Sequence, residues 1–174
     1  MKLIDFLTEV GDTTLHIDWD TSNPHGSVGD FTYNDLHYRI LIETNYEPTL
    51  SDIFKGYKHA FVSFLFLDPA TNKYTQDTTG LAGPLASTIF SIVKNAIKPV
   101  YVHEFDVVFF SAKRSRSPTS YDTRVRLYNH LYSRLVHETG AHGYIVPGAD
   151  SVTFVVSKQP IDDKIILIKS EYNF

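Results

Sequence analysis

The order of elements between residues 61 and 140 constrains the fold of this chain more than any other feature. A nearly continuous apolar run, Phe61 to Leu67, ends at the turn sequence DPATN, and the chain then returns through Lys73 to Asp77 into a glycine-rich turn, DTTGLAGP. Two long amphipathic segments follow, with the apolar strand FDVVFFSA between them. A strand, helix, strand crossover of this length predicts two parallel neighbours in one sheet.

Both long segments have the periodicity of helices. Pro84 suits a first helical position, and apolar residues recur at three- and four-residue intervals after it, so a helix is predicted from Pro84 until Pro99 ends it. The second helix is predicted to start near Ser120 and to run to Gly140. Its inner stripe is predicted to contain Val125, Tyr128, Leu131 or Tyr132, and Leu135.

The flanking segments predict shorter elements. Residues 2–9 have the apolar spacing of a short helix that Gly11 stops, and the alternation of Leu15, Ile17 and Trp19 with polar residues predicts a half-buried strand. Residues 20–30 form the strongest loop signal. Further strands are predicted at 36–43, 144–146, 152–157 and 164–168. The sequence therefore predicts one α/β (α+β) domain over residues 1–174, with a mixed, mostly antiparallel sheet and a β-α-β-α crossover.

The composition indicates the cellular compartment of such a domain and excludes some kinds of site. The chain has 174 residues, of which 43% are hydrophobic and none is cysteine. No apolar run approaches the ~20 residues of a spanning helix, and the first residues already include Asp5 and Glu9, which a secretory leader lacks. We therefore expect a soluble, cytoplasmic protein with no membrane segment, no disulfide and no thiolate zinc site.

The charges are unevenly distributed. Residues 1–60 hold ten acids and four bases, whereas the remaining residues hold ten acids and twelve bases, which gives the net charge of −4. Five bases are close in sequence, and they are Lys113, Arg114, Arg116, Arg124 and Arg126. Such a cluster attracts phosphate or an acidic protein surface, although a solvated helix face has the same composition. Because the whole chain is acidic, nucleic acid is a less favoured partner than protein.

Two histidine patterns were considered as metal sites. His16, Asp18 and Asp20 alternate on a strand and so share one face, which suits either a divalent ion or the solvent side of a sheet. No fourth ligand is identifiable, so the solvent side is favoured and no metal is predicted. The other group, His130, His137 and His142, lacks the i, i+4 spacing of a helical zinc site.

The segment from residue 59 to residue 158 resembles the GNAT acyltransferase superfamily. That family places Gln or Arg, two residues, Gly, one residue, and Gly or Ala between a hairpin strand and a helix, and Asp77, Gly80 and Ala82 occupy these places. The resemblance implies that an acyl-coenzyme A such as acetyl-CoA is the cofactor. The residues implied to bind it are Gly80, Leu81, Ala82 and Gly83 at the pyrophosphate and the main chain near Phe110 and Ala112 at the thioester carbonyl.

The same resemblance implies a catalytic residue in the second helix. Tyr128 is the nearest equivalent of the tyrosine that protonates the leaving thiolate in family members. The general base stays open among Glu43, Asp77 and Glu104, and water can relay the proton in place of a side chain.

A second resemblance is to small bacteriophage proteins of unassigned function. It is carried by Thr79-Gly80, the FSA sequence ending at Ala112, Arg124 with Leu127-Tyr128, and Gly143-Tyr144. It implies no chemistry, but it indicates a viral source and action in a host cytoplasm.

Two functions follow from these observations. The first is an acyl-CoA-dependent N-acyltransferase. The alternative is a non-catalytic phage protein that binds a host or virion protein through the basic cluster and exposed tyrosines. The tyrosines considered for that surface are Tyr38, Tyr46, Tyr57, Tyr74, Tyr101, Tyr121 and Tyr132.

Overall fold

The computed structural model describes residues 8–10, 13–44, 54, 56–76, 84–113 and 118–162. This part of the chain forms ten strands and two helices. The strands are β1 Thr8–Val10, β2 Thr13–Leu15, β3 Asp18–Asp20, β4 Gly26–Tyr33, β5 Leu36–Glu43, β6 His59–Asp68, β7 Lys73–Thr75, β8 Val107–Lys113, β9 His142–Pro147 and β10 Ser151–Ser157. The helices are α1 Pro84–Glu104 and α2 Pro118–Thr139.

Eight of the strands form one mixed sheet. Its order is β3-β4-β5-β6-β8-β10-β9, with β7 paired to β6, while β1 and β2 form a separate two-stranded sheet. Every pairing in the large sheet is antiparallel except that of β6 with β8, and α1 lies in the connection between these two strands. The predicted mixed, mostly antiparallel sheet is therefore confirmed, as is the parallel pair around the first long helix.

The sheet has two different faces because side chains alternate along each strand. Ala60, Val62 and Phe64 of β6 belong to the main hydrophobic core, which also contains the buried residues of both helices. Phe61, on the opposite face, belongs to a smaller cluster that includes Phe54 and Phe109. Both helices therefore cover the same face of the sheet.

Several strand predictions are confirmed. β5 matches the predicted 36–43, β6 and β7 form the predicted hairpin, and β8 lies between β6 and β10 as a central strand. The strands predicted at 144–146 and 152–157 are β9 and β10. The predicted strand 164–168 lies outside the described residues. None of the described helices combines the length and apolar character needed to cross a membrane.

Three predictions before residue 34 were wrong. The strand predicted across Leu15, Ile17 and Trp19 is divided, since Leu15 ends β2 of the small sheet and Trp19 lies in β3 of the large one. Thr8 and Glu9 lie in β1, paired with Leu15 and Thr14, where the apolar spacing of residues 2–9 predicted a helix. The predicted loop 20–30 ends early because β4 begins at Gly26. Glycine at 29 reflects close packing, since a Cβ there would lie 2.9 Å from the Trp19 ring.

Both helix boundaries also differ from the prediction. α1 continues through Pro99 to Glu104, although a proline inside a helix costs about 3 kcal/mol. Val100 and Tyr101 are buried in the core, and burying two such side chains contributes about 2 kcal/mol each, which offsets the lost hydrogen bond. α2 begins at Pro118, two residues before Ser120, and Gly140 follows it at a φ of 67°.

Candidate functional site

The two edges of β6 are paired differently. Along one edge, six consecutive residues from Phe61 to Phe66 pair with β5. Along the other, β8 pairs only with His59, Ala60 and Phe61, and β7 pairs only with Phe66, Leu67 and Asp68. We call the stretch of this second edge between the two partners, Val62 to Leu65, the β6 gap.

The β6 gap is long enough for an extended ligand. Five residue steps separate Phe61 from Phe66, which corresponds to ~16 Å of strand. Ladder partners for Val62 to Leu65 are absent from this edge among the described residues, while the same residues pair with β5 on the other side. Across the gap, β8 continues to Lys113 and pairs with β10 alone beyond Phe109. Alternate backbone groups on each side therefore point into the gap.

An aromatic layer closes the helix side of the β6 gap. The ring of Tyr128 in α2 meets Phe90 of α1 and Phe110 of β8 edge-on, with centroids 5.7 Å apart in each pair. Phe90 in turn lies 5.8 Å from Phe64, which is in the gap itself. These four rings join β6, both helices and β8, so the two parallel strands are held together here by side chains.

Tyr128 is a protonated phenol in this environment. Its side chain is only 7% exposed, and burial raises its pKa to about 12, although the Arg124 cation acts in the opposite direction. The hydroxyl therefore keeps its proton at neutral pH and can donate a hydrogen bond.

Arg124 lies one helical turn before Tyr128 and is also buried. Only 5% of this residue is exposed, and its Nη1 donates to the carbonyl oxygen of Gln76 over 3.4 Å. Its Nε and Nη2 have no hydrogen-bond partner in the described part of the chain. Gln76 comes directly after β7, so Arg124 contacts the main chain beside the last residue of that strand.

The structure brings together some of the predicted cofactor residues. Phe110 and Ala112 are buried in β8 along the β6 gap, and Phe110 contacts the predicted catalytic Tyr128. The glycine-turn residues Gly80, Leu81, Ala82 and Gly83 lie outside the described residues.

The basic cluster does not form one exposed surface among the described residues. Arg124 is buried, whereas Arg126 is exposed. Lys113 ends β8, and its side chain is outside the description, as are Arg114 and Arg116. The signal for the buried position of Arg124 was present in the sequence, because residues 124, 128, 131 and 135 have the 4, 3, 4 spacing of one helix face.

The tyrosines proposed for a protein interface are mostly internal. Tyr38 and Tyr101 are 0% and 1% exposed, so their assignment to a surface was wrong. Tyr57, Tyr74 and Tyr132 are half-buried, while Tyr46 and the side chain of Tyr121 lie outside the description. The predicted inner stripe of α2 is confirmed at Tyr128, Leu131 and Leu135, with Tyr132 packed on Phe154.

A separate cleft of about 690 Å³ lies at the other end of the β6–β8 pair. It is lined by Thr21, Ser27, Thr44, Tyr57, Lys58, His59, His103, Glu104 and Phe105. The Nδ1 of His59 lies 3.0 Å from the Tyr57 carbonyl oxygen, which requires a proton on Nδ1. Its Nε2 is enclosed and has no partner among the described residues. Of the predicted chemistry-bearing residues, this cleft contains Glu104 alone.

The described residues contain no group of three potential metal ligands. His16 contacts Asp18 over 2.7 Å, and both side chains are exposed on the outer face of their segment. Among the described residues, the chemical features of the β6 gap are strand edges without ladder partners, a neutral phenol and a buried guanidinium. Comparisons of the chain with protein-family models, with curated proteins and with solved structures found no match.

Proposed function

We propose that this chain binds an acyl-coenzyme A along the β6 gap and transfers its acyl group to an amine. The observation that carries the proposal is the end of parallel pairing at Phe61 and Phe109, directly beside the helix-borne Tyr128. Unpaired strand edges offer N–H and C=O groups to an extended ligand that carries amides of its own. The pantetheine arm of coenzyme A is a ligand of this kind.

The described residues fit such a cofactor in three respects. The β6 gap leaves backbone groups of β6 and β8 without ladder partners, the aromatic layer excludes water from the helix side, and a buried hydroxyl lies beside Phe110. In this proposal the main chain at Phe110 and Ala112 lies near the thioester, and Gly80 to Gly83 hold the pyrophosphate. The bound cofactor supplies an activated acyl carbonyl.

Tyr128 has the role of a hydrogen-bond donor. Because burial raises its pKa to about 12, the phenol stays neutral and can stabilise negative charge that develops on a leaving sulfur. Its ring is fixed between Phe90 and Phe110, so the hydroxyl is positioned before the reaction begins.

The general base stays open in this proposal, and Glu43 is one of the three carboxylates considered. Burial raises the pKa of its carboxyl group, which strengthens it as a proton acceptor. It lies at the end of β5 and pairs with Phe61, so it shares the face of the sheet that Phe61 occupies, opposite to the face that Tyr128 covers. Of the two other carboxylates considered, Glu104 lines the separate cleft and Asp77 lies outside the described residues.

The absence of cysteine allows a direct test by thiol release. A thiol reagent detects only free coenzyme A in this system, because the protein contributes no thiol. We expect acetyl-CoA to bind in a calorimetric titration, and a panel of primary amines to reveal one that releases thiol in step with acylated product. Gly80→Asp should abolish binding, since it adds a carboxylate to the turn proposed to hold the pyrophosphate.

Two tyrosine variants on one helix test the assignment of Tyr128. Tyr128→Phe should lower kcat about 100-fold, which is typical of removing a catalytic proton donor. Tyr132→Phe is the matched control and should stay within twofold, since the Tyr132 ring packs on Phe154 of β10, whereas the Tyr128 ring packs on Phe110 of β8. No binding heat and no thiol release would contradict the proposal and favour the non-catalytic phage protein that binds a host or virion protein.

A further inference from the structure

Two arginines in the described residues are in opposite situations. The Nε and Nη2 of Arg39 donate to the two carboxylate oxygens of Asp30, each over 2.7 Å, although the Arg39 side chain is 31% exposed. Its guanidinium also lies 4.0 Å from the centre of the Tyr74 ring. In Arg124 the same two nitrogens, Nε and Nη2, have no partner among the described residues, and the residue is 5% exposed. Arg124, the more buried of the two arginines, thus has no anionic partner among the described residues.

This difference is not expected of a structural arginine. A guanidinium keeps its charge at any pH a protein meets, so burial does not remove the charge. Burying an unpaired cation is costly, and buried charges in native proteins are therefore paired. The long contact from Nη1 to Gln76 uses one donor, and the Nε and Nη2 edge of the fork has no acceptor in the part of the chain that the structure describes.

The free edge of Arg124 has the geometry for one class of ligand. Nε–H and Nη2–H point in parallel from one side of the planar group and bind two oxygens of one anion, as Arg39 binds Asp30. Phosphate esters and diphosphates present such oxygen pairs. Tyr128 lies one helical turn away and Gln76 directly follows β7, so an anion on this edge would lie beside the proposed acyl-transfer site.

We propose that Arg124 is the cationic side chain of a buried phosphate-binding site that takes a phosphate or diphosphate group of the ligand. This site rests on the proposed function in that the phosphates are those of the acyl-coenzyme A. Arg124 holds the charged end of the ligand, while the β6 gap holds its uncharged arm.

Three probes separate the site from the proposed activity. They are inorganic pyrophosphate, acetyl-CoA, and S-acetylpantetheine, which has the thioester arm without any phosphate. We expect pyrophosphate to raise the melting temperature of the wild-type protein, and Arg124→Met to abolish this shift. The same variant should weaken acetyl-CoA at least tenfold and leave the affinity for S-acetylpantetheine within twofold.

Two further variants keep the test decisive. Arg126→Met removes the same charge from an exposed position two residues away and should retain the pyrophosphate shift and the acetyl-CoA affinity. Arg124→Lys keeps the charge but lacks the fork, so its affinity should fall between those of the wild type and Arg124→Met. Arg124→Met should fold, because an apolar replacement of a buried charge is often neutral or stabilising.

The outcomes distinguish the two proposals. Pyrophosphate binding that depends on Arg124, without any acyl transfer, would support the site and contradict the enzyme. Acyl transfer with unchanged acetyl-CoA affinity in Arg124→Met would support the enzyme and overturn the site. A wild-type protein without a pyrophosphate shift, or an equal loss in Arg126→Met, would also overturn the site.

Discussion

The two edges of β6 differ in their pairing, although they belong to the same strand. The edge toward β5 is paired at every position from Phe61 to Phe66. The edge toward β8 is paired at its beginning and at its end by different strands, with the β6 gap between them. The same four residues, Val62 to Leu65, are therefore fully paired on one side and have no ladder partner on the other among the described residues.

The β6 gap is a fixed feature because separate contacts hold both of its ends. At the beginning of the parallel pair, the amides of Asp106 and Val107 donate to the Lys58 carbonyl oxygen, over 2.7 and 3.1 Å. At the far end, Arg39 of β5 lies over the Tyr74 ring of β7 and so links the paired edge to the other partner. Separate contacts therefore hold β6 in place on both sides of the gap.

The largest loss of stability is expected from removing the ring of Phe64, which lies in the β6 gap and also packs against β5. Phe64 stacks on Tyr38 of β5 with centroids 5.7 Å apart and contacts Phe90 of α1. Phe64→Ala should lower the free energy of unfolding by about 4 kcal/mol, since it leaves a cavity between sheet and helices. Urea unfolding followed by circular dichroism measures this change.

Val62 is the matched control for Phe64. It lies two residues earlier in the same gap, faces the same core and is 5% exposed, as Phe64 is. Val62→Ala removes only two methyl groups and should cost about 2 kcal/mol. Equal losses in the two variants would show that the aromatic layer does not stabilise the gap beyond ordinary burial.

An intermediate loss of stability is expected at Asp106, beside the residues where the parallel pairing of β6 with β8 begins. The Lys58 amide donates to Asp106 Oδ2 over 2.9 Å, and the Asp106 carbonyl oxygen accepts from the Lys158 amide, also over 2.9 Å. Asp106→Ala should lower the free energy of unfolding by about 1 kcal/mol by removing the side-chain acceptor. Asp106→Asn retains a carbonyl acceptor and should keep most of that stability.

Hydrogen exchange can show where in the sheet the loss of the Asp106 side chain acts. In Asp106→Ala, amides of β8 from Val107 to Phe109 should exchange faster, while those of β5 should keep the wild-type rate. Uniformly faster exchange across both edges would contradict the idea that Asp106 fixes only the beginning of the parallel pair.

Much of the fold was predictable because its signals are local. The bounds of several elements follow from residues in or beside them: turn residues follow β6, a proline starts α1, and β8 is an apolar strand. The failures came from tertiary packing. Gly29 was predicted to lie in a loop, because the space that it leaves for Trp19 is visible only in three dimensions. Pro99 was predicted to end a helix, but the burial of Val100 and Tyr101 offsets the cost of a proline inside the helix.

The site was predictable only in part. The sequence indicated the order of strands and helices around Tyr128, and the structure packs this tyrosine on Phe110. It did not indicate where β6 and β8 separate, because the register of a parallel pair depends on the helix that connects the two strands. Arg124 was assigned to the basic cluster by proximity in sequence, whereas helical periodicity places it on the inner face with Leu131 and Leu135.

The smallest loss of stability is expected from a change between the two helices, away from both edges of β6. Glu138 of α2 accepts from Lys94 over 2.6 Å and from Lys98 over 3.0 Å, both on α1. These partners, Lys94 above all, hold the pKa of Glu138 below its ordinary value. Glu138→Gln should therefore lower the free energy of unfolding at neutral pH by only about 0.5 kcal/mol, as for other partly exposed ion pairs.

The pH dependence of this difference has a definite sign. A carboxylate whose folded pKa is lowered stabilises the fold above the ordinary glutamate range, and this contribution disappears as the pH falls through the lowered value. The wild type and Glu138→Gln should thus differ at neutral pH and low salt, and converge in acid or in ~1 M salt. Glu104→Gln removes the same charge from α1, outside any ion pair among the described residues, and should cause no such loss. A difference that persisted in acid would have to come from packing of the side chain, and the helix layer would then contribute more to holding the gap than its charges indicate.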